Sequence, residues 1–391
     1  MNFKQGLGVK RLKAVKLSGI LGVTLFGGMA GAQAAGLIPD FEKEFLREVE
    51  TNKVPGAAYA IIKGGRVVAV KVYGTRAVDA DLPVTSQTVF RLASVSKTFA
   101  ADLAAILARE GTLDLEAPVT KFVPELKFKT NGFAGKVKLK HLLSHSAGIT
   151  PNAYDNMLED GWTLEKIVPR FDRIEPMCQP GECYGYQNIL FSLIEPAIEN
   201  TTGKSYPSLV ESRLLKPLGM NHASLGLEAY LSTANRAEPH IFTRRDGWIR
   251  VMVDRNYYRV MPAAGVNASI EDLAKWVVAQ MGYNDAVLPS PVLKMVTEKR
   301  VDTSRELRRR GWRGKLTDAH YGFGWRIYAV DGQDVVLHSG GVRGFRSFVS
   351  YSKDLDIGFA IVMNAQTRSI DRLSSHFWVT AFDEVETTAS R

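Results

Sequence analysis

Hydrophobic residues fall at strand-like spacing in two blocks of the chain, with helical or irregular patterning between them. Ala57 to Ile62 and Val67 to Val72 are rich in small and β-branched residues, and Lys63-Gly64-Gly65-Arg66 between them reads as an antiparallel turn. Small polar residues at Ser94 to Ser96 then lead into the apolar stretch Thr98 to Leu107, which predicts a helix ending near Arg109-Glu110-Gly111. From about Leu113 to Met281 the pattern is mostly helical or irregular, punctuated by glycine and proline. Strand-type runs return at Tyr321 to Tyr328, Asp334 to His338, Phe345 to Tyr351 and Ile357 to Met363, and Ser369 to Phe382 reads as a closing helix. Strands at both ends with helices between predict an α+β fold: an antiparallel β-sheet built from both chain ends, flanked by helices, with an inserted, mostly helical lobe. The expected division is a single domain over 35–391, with one lobe from 35–110 plus 282–391 and the insert at 111–281.

The opening residues carry a different signature. Lys4, Lys10, Arg11, Lys13 and Lys16 flank or precede the apolar, glycine-rich stretch Leu17 to Ala30, and Ala32-Gln33-Ala34 has the form of a signal-peptide cleavage site. Residues 1–34 are therefore expected to be a removed signal peptide, with Ala30-Gly31-Ala32 as an alternative cut and an uncleaved tether as the competing reading. The apolar stretch is short for a bilayer span, so no stable membrane insertion is expected. Loss of the leader's five basic residues takes the formal net charge from +9 to +4, which leaves no electrostatic case for a nucleic-acid partner. A basic run remains at Arg305, Arg308, Arg309, Arg310, Arg313 and Lys315 and reads as a solvated loop rather than a surface for acidic groups. The two cysteines, Cys178 and Cys183, bracket Gln179-Pro180-Gly181-Glu182. In an oxidising compartment this pair is a candidate disulfide across the turn; two free thiols are the alternative.

Ser94 and Lys97 are three apart at the start of the predicted helix and share a face, so hydroxyl and amine can touch. A serine becomes a nucleophile when a neighbour takes its proton, and a lysine can do so once burial or a nearby cation lowers its pKa. The helix N-terminus adds positive potential where negative charge would develop. S-x-x-K alone is a weak signal, and later segments strengthen it. Tyr186-Gln187-Asn188 follows the cysteine turn and precedes an apolar helix from Ile189 to Ala197; His338-Ser339-Gly340-Gly341 ends a strand. That order is found in serine β-lactamases and penicillin-binding proteins. The chain resembles the class C β-lactamase-like serine hydrolases, a group that includes β-lactamases, DD-peptidases, D-aminopeptidases and esterases. Lys140 to Ile149, Lys216 to Gly226, Pro262 to Val266 with Glu271 to Ala274, and Tyr321 to Trp325 also resemble segments of that family, in order.

The resemblance implies roles. Ser94 would form an acyl-enzyme, with Lys97 beneath it as proton acceptor or as the cation that holds Tyr186 towards phenolate. Tyr186 would be the general base for Ser94 and later the acid for the leaving group; spacing does not choose which of the two takes the first proton. Asn188 would position a substrate amide and order Lys97. The backbone N–H groups of Ser94 and Gly341 would hold the oxyanion, with His338, Ser339 and Gly340 on an edge strand along which substrate lies. The best-known β-lactamases carry lysine at the position of His338, and a neutral histidine makes carboxylate recognition less assured. Arg343 and Arg368 are candidate replacement cations, and Asn364, at the end of the last strand before Arg368, is counted with them among the substrate-binding residues. No cofactor and no metal is expected: His141 and His145 are four apart, but Leu142 and Leu143 fill the gap between them, and the pair reads as structural. The expected function is that of a periplasmic serine hydrolase, a class C-type β-lactamase acting as a monomer on a small-molecule substrate. The alternatives are an esterase or D-amino-acid peptidase with the same machinery, or a slow-turnover penicillin-binding protein.

Overall fold

The computed structural model describes residues 36–389 apart from 313 and 331, and the expected signal peptide lies outside them. Helix α1 (Leu37–Thr51) buries Leu37, Phe41, Phe45 and Val49, one residue per turn on a single face. Strands β1 (Gly56–Lys63) and β2 (Arg66–Ala77) form the expected hairpin, with Gly64 and Gly65 both at positive φ, and β3 (Ala80–Pro83) pairs onto β2. Helix α2 (Ser96–Arg109) follows. The long middle segment supplies short helices and α3 (Ile270–Val278), whose N-cap Ser269 and Asp272 form a reciprocal capping box. The chain then returns through β4 (Val301–Asp302), β5 (Leu316–Tyr321), β6 (Arg326–Val330), β7 (Gln333–Val342), β8 (Phe345–Ser352) and β9 (Ile357–Met363), and ends in α4 (Ser369–Ala389).

These strands make one antiparallel sheet in the order β3-β2-β1-β9-β8-β7-β6-β5-β4. Its first three strands come from the front of the chain and the rest from the back, joined where Ala60 faces Ala360. β1 and β9 are buried on both faces, which is why their sequences run apolar without alternation. Tyr59, Ile61, Phe359 and Ile361 pack with α1 and α4, where Phe377 stacks on Phe359 at 4.3 Å between ring centroids. Ala58, Ala60, Ala360 and Val362 face the other way, into the core shared with α2 and α3.

Tyr321 to Tyr328, expected as one strand, is two strands joined by a turn. Gly324 has φ +67°, its N–H donates to the Leu143 carbonyl at 2.9 Å, and a Cβ there would collide with the Lys97 carbonyl. The Tyr321 to Trp325 segment is therefore pressed against the first turn of α2, and the strand breaks to let it approach.

One buried pair on α2 has a consequence for stability. Asp102 is fully buried and accepts a hydrogen bond from Gln280 Nε2 at 2.8 Å, while its other oxygen and the Gln280 Oε1 are without partners. Burial raises the Asp102 pKa from 3.8 to about 7, so the acid form is favoured in the fold. A carboxyl whose folded pKa is raised costs stability as pH rises from its unfolded value through its folded one. Asp102→Asn removes that titration. It is expected to raise Tm by about 2–5 °C at pH 8 and to lose the gain near pH 4, read by calorimetry of both chains. A difference independent of pH would show that Asp102 does not titrate in this range.

Candidate active site

Ser94 sits in a single 3-10 turn, Ala93–Val95, that leads into α2. Ala93 has φ +47°, a left-handed conformation that costs a non-glycine residue about 1–3 kcal/mol and persists only where the surroundings impose it. They do so here from two sides. The Leu92 N–H donates to the Val266 carbonyl at 3.0 Å, and the Val266 N–H donates to Ser96 Oγ at 2.9 Å. From the sheet, Ser347 Oγ donates to the Leu92 carbonyl at 2.5 Å. Gly340 lies beside that carbonyl, and any Cβ there would collide with it. The glycine of the His338 segment thus lets the nucleophile's turn lie against β7.

Lys97 is wholly buried. Its Nζ lies 2.7 Å from Asn188 Oδ1, 3.2 Å from the Ala263 carbonyl and 3.4 Å from Ser94 Oγ, and 4.7 Å from the centre of the Tyr186 ring. Burial drives its pKa well below the usual lysine value; Asp155 opposes this and Arg326 adds to it. The half-buried Tyr186 shifts the other way, its phenol pushed above the usual tyrosine value by burial against the opposing pull of a hydrogen bond with Ser94 and of Arg326. Both shifts favour a neutral amine and a protonated phenol, which gives Lys97 the free lone pair that a base requires.

Tyr186 is held by its neighbours. Its ring lies 4.2 Å from that of His145, a buried residue at φ +55° whose Nδ1 accepts the Gln187 N–H at 3.2 Å. The Gly185 N–H donates to the His145 carbonyl at 2.8 Å, and the Gly181 N–H to the Ser146 carbonyl at 2.7 Å. Cys178 and Cys183 form the expected disulfide in the strap that leads to Tyr186. His141 accepts the Lys138 N–H through Nδ1 at 3.1 Å, so each of the two histidines holds a backbone N–H in place.

Asn188 Oδ1 accepts from Lys97, and its Nδ2 donates to Asp155 Oδ2 at 2.7 Å. Asp155, absent from the sequence reading, extends the chain of contacts Ser94–Lys97–Asn188–Asp155. It is the first residue of a short helix, Asp155–Glu159, which lies outside the family-like segments read from the sequence. His338 is fully buried; its Nδ1 contacts the Ser339 carbonyl at 2.9 Å and its Nε2 the Tyr321 hydroxyl at 3.0 Å. A carbonyl only accepts, so Nδ1 carries the proton and Nε2 accepts from Tyr321. Burial, with Arg326 and Lys97 adding to it, holds the His338 pKa well below its usual value, and the ring supplies no charge.

β7 pairs with β8 as far as Val342 but with β6 only as far as Leu337, so residues 338–342 project past β6 as an edge. Cavities lie at either end of this stretch. One, of about 920 Å³, is lined by Gly341, Arg343, Arg346, Tyr257 and Glu159; the other, of about 630 Å³, by Ser339, Arg368, Arg309 and Trp312. The structure thus brings both candidate cations, Arg343 and Arg368, beside the glycine-containing edge. It does not bring Asn364 there. The Asn364 Nδ2 donates to the Thr75 and Arg76 carbonyls at 3.1 and 2.9 Å, and its own carbonyl meets His240 Nδ1 at 2.8 Å. Its amide is spent clipping the end of β9 to β2, which corrects the expectation that it contacts substrate.

The wider comparisons agree with this geometry. A family model described as Beta-lactamase matches residues 41–376. Protein flp of Staphylococcus aureus (strain N315) is 25% identical over 339 residues, 86% of this chain and 64% of that protein. The chain therefore spans less than two thirds of that relative's length. A β-lactamase of Escherichia coli (strain K12) is 24% identical over 355 residues, 81% of this chain and 85% of its own length. Among solved structures, the octameric penicillin-binding protein homologue from Pyrococcus abyssi matches with a TM-score of 0.76 at 26% identity, covering 88% of this chain and 77% of that one. Because the family match runs from α1 into α4 and so takes in the whole sheet and the Ser94 cluster, the chain belongs to the Beta-lactamase family, within the superfamily of serine β-lactamases and penicillin-binding proteins.

Proposed function

We propose that this chain is a periplasmic serine hydrolase that opens β-lactam amides through an acyl-enzyme on Ser94, in the manner of a class C β-lactamase. The observation that carries the chemistry is the buried Lys97 amine, 3.4 Å from Ser94 Oγ and held by Asn188 and the Ala263 carbonyl. Ser94 Oγ attacks the amide carbon as its proton passes to Lys97 Nζ. The C–N bond then breaks, and the leaving nitrogen takes a proton through Tyr186, which is replenished from Lys97. Water attacks the ester with the same groups acting in reverse, releasing the acid and restoring the Ser94 hydroxyl. The N–H groups of Ser94 and Gly341 hold the oxyanion, and Arg343 or Arg368 meets a substrate carboxylate. Residues 1–34 support export, and a disulfide in the strap before Tyr186 suits an oxidising compartment.

A second reading, an esterase or D-amino-acid peptidase, is favoured by one observation: His338 is buried and neutral, so no cation stands at that point of the edge. Mass spectrometry of the chain during and after incubation with a penicillin, a cephalosporin and a carbapenem separates the readings. A transient adduct on the Ser94 peptide, with drug consumed over many cycles, is the expected result. A persistent adduct would identify a slow-turnover penicillin-binding protein, and no adduct with any of the three would overturn the β-lactam reading in favour of esters or peptides.

A further inference from the structure

Near Tyr186 lies a charge that the scheme above does not use. Arg326, the first residue of β6, is buried, and its guanidinium carbon lies 5.7 Å from the Tyr186 ring centre, 5.9 Å from that of Tyr184 and 5.6 Å from that of Tyr321. Its Nη1 pairs with Glu306 Oε1 at 3.1 Å, and Glu306 also accepts from the Tyr328 hydroxyl at 2.7 Å and pairs with Arg309. A buried guanidinium among aromatic rings is costly to place. An arginine does not deprotonate in a protein, so the charge at this point is permanent.

We propose that Arg326 is a positioning residue: its fixed charge, set beside the Tyr186 ring and moderated by Glu306, supplies the cation that the buried His338 does not, and holds the Lys97–Tyr186 pair ready to take the Ser94 proton. The inference rests on the serine-hydrolase reading of Ser94 and not on the identity of the substrate. A positive charge near an amine favours its neutral form, and one near a phenol favours the phenolate, so a single cation eases both ends of the proton path. Arg326 acts in these directions on Lys97 and on Tyr186. The other titratable groups around the pair are Asp155 on the Asn188 side, His145 under the Tyr186 ring and His338 on β7. Around Arg326 itself stand Tyr184, Tyr321, Tyr328, Glu306 and Arg309.

Opposite substitutions at the ion pair test the proposal. The full chain and its Arg326→Gln, Arg326→Lys and Glu306→Gln variants are labelled at Ser94 with a fluorophosphonate, and the rate is followed against pH. This probe needs an activated serine but no particular substrate. The rate falls at low pH as Lys97 becomes protonated. Arg326→Gln is expected to move that acid limb up by about 0.5–1 pH unit, Glu306→Gln to move it down by a similar amount, and Arg326→Lys to leave it near its starting place. A purely structural ion pair predicts otherwise: both neutral variants would lower rate and Tm with the limb unmoved or moved in one direction, and that result would overturn the proposal. Folding is checked by near-UV circular dichroism, and Arg326→Lys keeps the test open if the glutamine variant unfolds. An unlabelled parent chain at every pH is a separate outcome, since it removes the serine-hydrolase reading itself.

Discussion

Lys97→Met is expected to slow acylation of Ser94 by about 10³-fold, with β-lactams and with activated esters alike. Methionine fills nearly the same volume, but it cannot accept a proton and leaves Asn188 Oδ1 and the Ala263 carbonyl without the Lys97 donor. Lost hydrogen bonds to buried groups cost about 1–3 kcal/mol, so a fall in Tm accompanies the change and does not by itself identify the role. Lys97→Arg does. A guanidinium retains the charge and the donors but does not give up its proton, so a lysine needed only as a cation would be replaced by it in large part. A lysine needed as a base would not. Because burial drives the Lys97 pKa well down, the expected outcome is that arginine is as inactive as methionine and that the acid limb of the pH–rate profile disappears in both. Recovery of most of the rate in Lys97→Arg would move the first proton transfer to Tyr186.

That choice of base could not be read from the sequence, for a physical reason. The spacing of Ser94 and Lys97 places amine and hydroxyl together, but the protonation of the amine depends on burial by residues far away along the chain. Asp155, Asn188, Ala263 and Arg326 reach Lys97 through the fold; Asn188 and Ala263 lay in family-like segments, and Asp155 and Arg326 did not. Local chemistry was legible where it is local: the Gly64-Gly65 hairpin, the Cys178–Cys183 turn and the β9 strand follow from short-range pattern. Helix α1 was missed although Leu37, Phe41, Phe45 and Val49 repeat every four residues, because the apolar stretch Leu17 to Ala30 just before it dominates the pattern at that end of the chain. The turn inside Tyr321 to Trp325 was missed because two glycines among aromatics still read as an apolar run; their purpose is a close approach to α2 that no single-segment pattern encodes. Asn364 failed differently. Its place at the end of a strand was right, and its amide was taken by β2 carbonyls that sequence does not bring near it.

Tyr186→Phe gives the second large effect, and its size is expected to depend on the leaving group. Phenylalanine keeps the ring beside His145 and the Lys97 amine and removes only the hydroxyl that meets Ser94. The fold should therefore be little changed, with Tm within about 1–2 °C of the parent chain. If Lys97 takes the first proton, the hydroxyl matters most when the C–N bond breaks, because an amide nitrogen leaves poorly as an anion and needs a proton from Tyr186. A p-nitrophenolate leaves without one. Acylation by a β-lactam is then expected to fall about 10³-fold, and acylation by a p-nitrophenyl ester by about 10-fold or less. Equal losses on the two substrates would mean that Tyr186 acts before bond breaking, as the base for Ser94. The raised pKa of its phenol argues against that order, since a group that stays protonated at neutral pH is placed to donate and must be relieved of its proton before it can accept. Lys97 and Tyr186 thus divide one proton's path between them, the amine receiving it from Ser94 and the phenol delivering it to the nitrogen.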